Sequence, residues 1–410
     1  MPTRNLGASF RELNTKYGDI VYLNVLGQPM VILGSYEAVY ELLELRSATS
    51  SDRSLSPMAE LTGFMWDFAL EGYNTRWRTQ RRVFHQLFYL NAVKSYRPTQ
   101  LREVQRLLQK LITKPDDFVR NIHHYFGASI MGIVYGLDIA DDDDKYLTIA
   151  RRAMDVFDDF MVPGRYMVES LHFLRHIPSW VPGAGFRRKA AAGRKDVLAL
   201  RNVPFEAVME NMAKGTARPC IVTSLLEKQS QLAGQEAKDY LEMCKDVSAL
   251  AYITGADTTF SNVVAFFLAM VCFPHVQAEA QAEIDAVVGS NRLPDFDDRP
   301  ALPYVDAVVK ECMRWHVVVT LGIPHRTIVD EVVKGYLIPK GTVVVSNAWG
   351  ISRDPEEYPD PEEFRPERFL EDNARDPVAF VFGNGRRICP GRHFADASLF
   401  IIVASALHTL

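Results

Sequence analysis

Cys389 lies in the segment Phe382-Gly383-Asn384-Gly385-Arg386-Arg387-Ile388-Cys389-Pro390-Gly391, which sets one thiol among arginines and glycines. Sulfur ligates metals and attacks electrophiles as the thiolate, and N–H donors and positive charge nearby keep it ionised. Gly385 and Gly391 permit backbone conformations and close approaches that a Cβ would obstruct, and Phe382 can shield the sulfur from water. Pro390 has no N–H, so backbone donors to the sulfur must come from residues further on, Gly391 and Arg392. The plainer reading of Cys389 is a buried structural thiol. A second segment, Thr254-Gly255-Ala256-Asp257-Thr258-Thr259, places hydroxyls and a carboxylate in apolar surroundings. A Thr there can bond back to the carbonyl four residues earlier, bending a helix and opening room for water. Glu311 and Arg314 form an i,i+3 pair on one helix face, and Trp77 and Arg81, at i,i+4, bring an indole donor and a guanidinium together. Arg78 and Arg82 are turned roughly 100° from that face by the helical period. They make a basic stripe suited to an acidic protein partner, or an ordinary solvated face.

Other constellations are poorer. His172 and His176 stand at i,i+4, but no H-E-x-x-H glutamate accompanies them, which argues against zinc. The neighbours His123 and His124 point to different faces of any regular element and suggest nothing. Cys220, Cys244, Cys272, Cys312 and Cys389 are odd in number and widely spaced, which fits neither a disulfide framework nor a structural zinc site and makes a reducing compartment the default. Lysine plus arginine total 46 against 51 acids, so the global basicity that phosphate-backbone binding exploits is missing and nucleic acid is not an expected partner.

The elements that must hold these residues are mostly helical. At 410 residues the chain is either two ordinary domains or one large enzyme fold, and no linker divides it. Residues 20–25 and 30–33 are rich in β-branched side chains around Gly27-Gln28-Pro29, a hairpin signal. Short strands return at 336–338 and 342–345, beside Gly or Pro. Between them, 240–273 runs 34 residues without proline and stops at Pro274, which predicts a helix long enough to cross the molecule. A second helix is expected over 302–315, and a third after Pro390-Gly391, continuing to the last residue. The Pro-rich stretch 354–366 carries enough aromatic residues to be a packed loop. The acidic run 141–144 reads as a solvated turn. The longest unbroken apolar run, 263–273, falls short of the eighteen or so residues that span a bilayer, and residues 1–7 contain no apolar core of a signal peptide. The fold class is therefore mainly α with small β-sheets.

The Cys389 segment resembles the haem-ligand loop of the cytochrome P450 family, F-x-x-G-x-R-x-C-x-G, at all five fixed positions. That coincidence arises by chance in roughly one chain in ten thousand of this composition. Three further segments match the same family in the same order. Glu311 to Arg314 is its E-x-x-R, with Arg368 in Pro366-Glu367-Arg368-Phe369 the third member of a structural trio. Trp77 to Arg81 is its W-x-x-x-R, and 254–259 is similar to its oxygen-activation segment, with Thr254 in place of the usual Ala or Gly. The similarity spans the whole chain and looks closest to fungal microsomal members of secondary metabolism.

The resemblance implies a cytochrome P450 fold with residues 1–410 as a single domain, lacking the N-terminal membrane anchor and the C-terminal β region of such members. It implies a haem-thiolate monooxygenase that inserts one oxygen atom from O2 into a hydrophobic organic substrate. Cys389 would be the axial ligand of haem b, an iron protoporphyrin IX. Trp77, Arg81, His325 and Arg387 would hold its propionates, with Phe382, Gly385 and Gly391 shaping the loop. Asp257 and Thr258 would handle protons, with Gly255 leaving room for dioxygen. Electrons would come from NADPH through a cytochrome P450 reductase, with cytochrome b5 a possible second donor. Residues 61–68 and 318–321 occupy positions that face substrate in relatives, while Val317 and Thr320 stand where prolines are usual. The loop 177–183, with Trp180 and the basic Arg187-Arg188-Lys189 behind it, suits peripheral contact with lipid. The endoplasmic reticulum membrane is the implied location, and the cytoplasm is the other for a chain without the anchor. Two other readings remain open: an isomerase or dehydratase of the same family that needs no reductase, and a non-catalytic haem-binding fragment.

Overall fold

A helix that is apolar on all faces has to be enclosed, and the rest of the chain is arranged around one such element. The computed structural model describes residues 5–141, 143–370 and 374–410; residues 1–4, Asp142 of the acidic run and residues 371–373 lie outside the description. The helices that position the site are α1 (Thr75–Phe88), α2 (Arg97–Thr113), α3 (Phe118–Tyr135), α4 (Lys145–Met161), α5 (Gly185–Ala213), α6 (Gly234–Cys272), α7 (Pro303–Trp315) and α8 (Arg392–Thr409).

α6 extends six residues further toward the N-terminus than its proline-free stretch suggested, because Gly234 onward is polar but still helix-forming. It stops where Pro274 opens the next helix. By length and composition alone α6 would pass for a membrane-crossing segment. Here it packs against α1, α3, α5, α7 and α8, which accounts for the apolarity of its middle, while Leu268 and Val271 near its end are exposed. α8 is buried almost throughout from Phe394 to Leu407 and forms the other half of the main core. Caps fix the ends that matter. The Asn74 side chain accepts the N–H of Trp77 at 2.8 Å, which sets the start of α1, and Glu283 accepts the N–H groups of Tyr304 and Val305, both at 2.9 Å, at the start of α7.

The strands are β1 (Ile20–Val25), β2 (Gln28–Leu33), β3 (His325–Arg326), β4 (Glu331–Val333), β5 (Tyr336–Ile338) and β6 (Val343–Ser346). Four of them form a sheet in the order β1-β2-β6-β3, and β4 pairs with β5. The expected hairpin is present, but it turns at Leu26-Gly27, where both residues have positive φ, and Pro29 falls inside β2. Proline is tolerated there because the parallel pairing of β2 with β6 starts only at Met30 opposite Val343. β3 and β4 had no sequence signal, since two or three residues cannot display a period of two. β3 carries His325 into the interior.

Candidate active site

The Cys389 loop hangs from the start of α8. The Cys389 N–H donates to the Phe382 carbonyl at 2.7 Å, closing the loop, and the N–H groups of Gly391 and Arg392 point at the sulfur, the arrangement that the missing donor of Pro390 requires. A helix N-terminus favours negative charge at that place. Burial nevertheless pushes the Cys389 thiol above its ordinary range, against the pull of those two N–H groups, Arg81 and Arg392. Desolvation outweighs the donors, and a coordinating metal deprotonates a thiol outright. Gly385 has φ 56°, and a Cβ there would come within 2.2 Å of the Leu43 carbonyl oxygen and 2.6 Å of Ser47 Cβ. Packing of the loop on residues 43–47 and the positive φ thus both call for glycine here. A Cβ at Gly391 would stand 3.9 Å from the sulfur.

Three arginines converge beside this loop. Arg81, half-buried, donates through Nη2 to the Ile388 carbonyl, one residue before the cysteine, and burial pushes its guanidinium down to about 10. Arg387 lies over the Trp77 ring, 4.2 Å from its centroid, and donates to the carbonyls of Ser51 (2.7 Å), Phe68 (3.3 Å) and Glu71 (2.8 Å). Burial pushes it down to about 10 as well. Arg53 is buried between the carbonyls of Ala69 (3.1 Å), Ile323 and Pro324 (2.7 Å), and burial and Arg387 hold it well below the ordinary guanidinium range. His325 lies buried beside them with Nδ1 2.8 Å from the Ser50 carbonyl, and burial together with Arg53 keeps it neutral. Trp77 and Arg81 of α1, His325 and Arg387 therefore come from three distant stretches to one corner. Arg53 was not anticipated: Ser51-Asp52-Arg53-Ser54 reads as a polar turn.

Asp67 faces the same corner. Its carboxylate accepts the Ala69 N–H at 2.7 Å, yet burial raises it to about 7, against the pull of that N–H and of Arg53. The folded protein thus binds this proton more tightly than the unfolded chain does. Its contribution to stability is full below about pH 4, falls as pH rises and is lost above about pH 7, a swing on the order of 4 kcal/mol. Asp67→Asn keeps the acceptor for Ala69 and removes the titration. The variant is expected to gain in melting temperature over the parent as pH increases from 4 to 7; a difference that is flat with pH would contradict the assignment.

On α6, Thr254 and Thr258 are exposed although the residues around them are largely buried. Thr254 Oγ1 donates to the Leu250 carbonyl at 2.7 Å, and Thr258 Oγ1 to the Thr254 carbonyl at 2.9 Å. Asp257 leaves the helix in another direction, and its Oδ1 lies 3.1 Å from His123 Nε2 on α3. The structure does not bring Asp257 and Thr258 into contact with one another. At Gly255 a Cβ would meet Ile130 Cδ1 at 3.1 Å, so its smallness lets α3 and α6 approach.

Glu311, fully buried, receives Arg314 Nε and Nη2, both at 2.7 Å, and Arg368 Nε at 3.2 Å. Arg314 also donates to the carbonyls of Ser352 (2.9 Å), Pro361 (2.8 Å) and Glu363 (3.1 Å), which pins the Pro-rich stretch onto α7. Of residues 61–68, Phe64, Trp66 and Phe68 are buried in the core, Phe64 against Phe157 and Phe160, so only part of that stretch remains to face a ligand. In the region where relatives carry prolines, Val317 is buried and Thr320 is exposed, its carbonyl accepting the Trp349 N–H at 3.0 Å. A cavity of about 1070 Å³ between α2 and α3 lies away from all these residues, and its charges pair with one another: Arg218 with Asp138, Lys110 with Asp141.

The chain thus sets a cysteine loop at one helix N-terminus, an arginine-rich corner beside it and two threonines on a central helix. A family model described as Cytochrome P450 matches residues 2–410, and the chain belongs to that family. It is 42% identical over 414 residues to cytochrome P450 monooxygenase COX2 of Coprinopsis cinerea, covering 99% of this chain and 78% of that protein. It is 40% identical over 413 residues to cytochrome P450 monooxygenase 208 of Postia placenta, with 99% and 80% covered. Tryptamine 4-monooxygenase of Psilocybe cyanescens is 37% identical over 416 residues, with 99% and 82% covered. The chain is an oxidoreductase of the monooxygenase type, a haem protein with fungal relatives that works with a redox partner on hydrophobic substrates.

Proposed function

We propose that Cys389 is the axial ligand of haem b, and that Trp77, Arg81, His325 and Arg387, joined by Arg53, hold its two propionates. The observation that carries this is the corner itself: Arg53, Arg81 and Arg387 all lie below their ordinary range through burial, so two carboxylates placed there would relieve an unfavourable concentration of desolvated positive charge. When bound, the haem supplies activation of dioxygen and transfer of one oxygen atom to substrate. The chain's part would be to present the sulfur with its two N–H donors, screen it with Phe382, and supply Asp257 and Thr258 as proton-handling groups. Electrons come from NADPH through a diflavin reductase, with cytochrome b5 as a second donor. Arg78 and Arg386, both exposed and both over the Tyr73 ring at 5.9 and 5.2 Å, form with Arg82 a cationic surface on the cysteine side for an acidic partner. Phe173 and Trp180, 66% and 80% exposed, suit contact with the endoplasmic reticulum membrane surface. The test is reconstitution of the purified chain with haem. A reduced carbon monoxide complex with the shifted Soret band of thiolate ligation, and NADPH oxidation only when reductase is added, are expected; a histidine-type spectrum would reject the ligand assignment.

A further inference from the structure

Asp257 has a partner that its own motif does not provide. The His123 ring, 3.1 Å from Asp257 Oδ1, stands edge-on to Phe260 one turn along α6, with ring centroids 5.3 Å apart and planes at 90°. Aromatic contact and hydrogen bond together hold the imidazole in one orientation. The side chains of His123 and Asp257 are 31% and 30% exposed, and His123 lines a surface cavity of about 450 Å³ with Asp116, Asp117, Arg120, Arg151 and Phe260. The charged groups near the pair come from three sides: Asp116, Asp117 and Arg120 around the start of α3, Arg151 of α4, and Asp158 of α4 beside Asp257. Burial, Asp257 and Asp155 raise the Asp158 carboxyl, so protons are favoured in this corner. A half-exposed ion pair contributes little to stability, at most about 1 kcal/mol. An imidazole standing between a surface cavity and a partly exposed carboxylate is, by contrast, the arrangement of a proton shuttle.

We propose that His123 is a positioning residue that supplies protons to Asp257 from the surface cavity. The ring takes a proton from water, passes one from Nε2 to Asp257 Oδ1, and so replaces each proton that Asp257 releases. One proton enters at the imidazole for each that leaves the carboxyl, no electrons move, and the ring resets by exchange with water. The inference rests on the reading of Asp257 and Thr258 as the proton-handling groups, and the experiment separates the two.

The haem-loaded protein with reductase is assayed for NADPH oxidation with dioxygen as the only acceptor, from pH 6 to 8, for the parent, Asp257→Asn, His123→Gln and His123→Ala. Gln retains an N–H donor for Asp257 but has no proton to pass on. The rate is expected to fall on the order of tenfold in His123→Gln and His123→Ala alike, below the full 10²–10⁴ of a general acid because water can substitute, and its pH dependence is expected to flatten. In protein labelled with ¹⁵N-histidine, the His123 Nε2–H chemical shift is expected to carry the signature of donation to a carboxylate in the parent and to lose it in Asp257→Asn. If Asp257→Asn slows oxidation while His123→Gln keeps the parental rate and pH profile, the shuttle is overturned and the Asp257 assignment stands. If Asp257→Asn keeps the parental rate, the assignment itself falls and the shuttle with it. An Nε2–H signal unaffected by Asp257→Asn would show that the pair does not exist in solution, which also overturns the proposal.

Discussion

Cys389→Ser is expected to fold, to lose the thiolate-type carbon monoxide spectrum and to be inactive in NADPH-dependent oxygenation. Serine is close in volume to cysteine, and the contacts that shape the loop are backbone ones: the Cys389 N–H to Phe382 and the N–H groups of Gly391 and Arg392. Those N–H groups would face a hydroxyl in place of sulfur, at little structural cost. The neutral hydroxyl is a poor iron ligand, and its proton is far harder to remove than that of a thiol. Changes to groups that merely support a ligand cost 10–100-fold in metal affinity or activity, so loss of the ligand itself is expected to cost about 100-fold or more. The measurements are haem retained after gel filtration, the reduced carbon monoxide spectrum, and turnover with reductase. A Cys389→Ser protein with the parental spectrum would remove the basis for every residue role assigned around the loop.

The largest expected effect on stability comes from Glu311→Ala. Its carboxylate sits between the Arg314 and Arg368 guanidiniums, with Glu311 and Arg314 fully buried and Arg368 at 2% exposure. It also accepts the Arg365 N–H at 2.8 Å. Removing one partner of a buried charge set leaves uncompensated charge, which costs about 3–5 kcal/mol. The whole-chain value sits at the upper end, because two cations are stranded at once. For a chain of this size a melting-temperature loss of about 5 °C follows. Glu311→Gln keeps an acceptor but not the charge, and an intermediate loss is expected. Thermal unfolding followed by circular dichroism reads both; a loss below about 1 kcal/mol in Glu311→Ala would mean that the carbonyls of residues 352–363 alone satisfy the arginines.

Local pattern made some of this legible and left the rest hidden, for a physical reason. The cysteine loop, the proline-free central helix and the N-terminal hairpin are encoded by neighbours in sequence, so composition, spacing and β-branching disclose them. Arg53 has no such neighbours: its environment is built by carbonyls at 69, 323 and 324, and only the folded chain brings them together. His123 was passed over for the same reason. Adjacent histidines look uninformative until Asp257, 134 positions away, arrives opposite one of them. Gly255 and Gly385 carry a constraint that the sequence does not display: protein atoms, Ile130 in one case and Leu43 with Ser47 in the other, press against the missing Cβ.

The parallel pairing of Met30–Leu33 with Val343–Ser346 constrains how the chain matures on the ribosome. The N-terminal hairpin emerges first, yet the strand it must lie beside is translated about 310 residues later, many seconds at ordinary elongation rates of roughly 5–20 residues per second. Until then one edge of β2 offers unpaired backbone groups to other nascent chains. Completing this sheet is a late, long-range event of the kind that slows folding. Yield in a heterologous host should therefore respond to lower temperature and added chaperones more than to changes in the N-terminal strands.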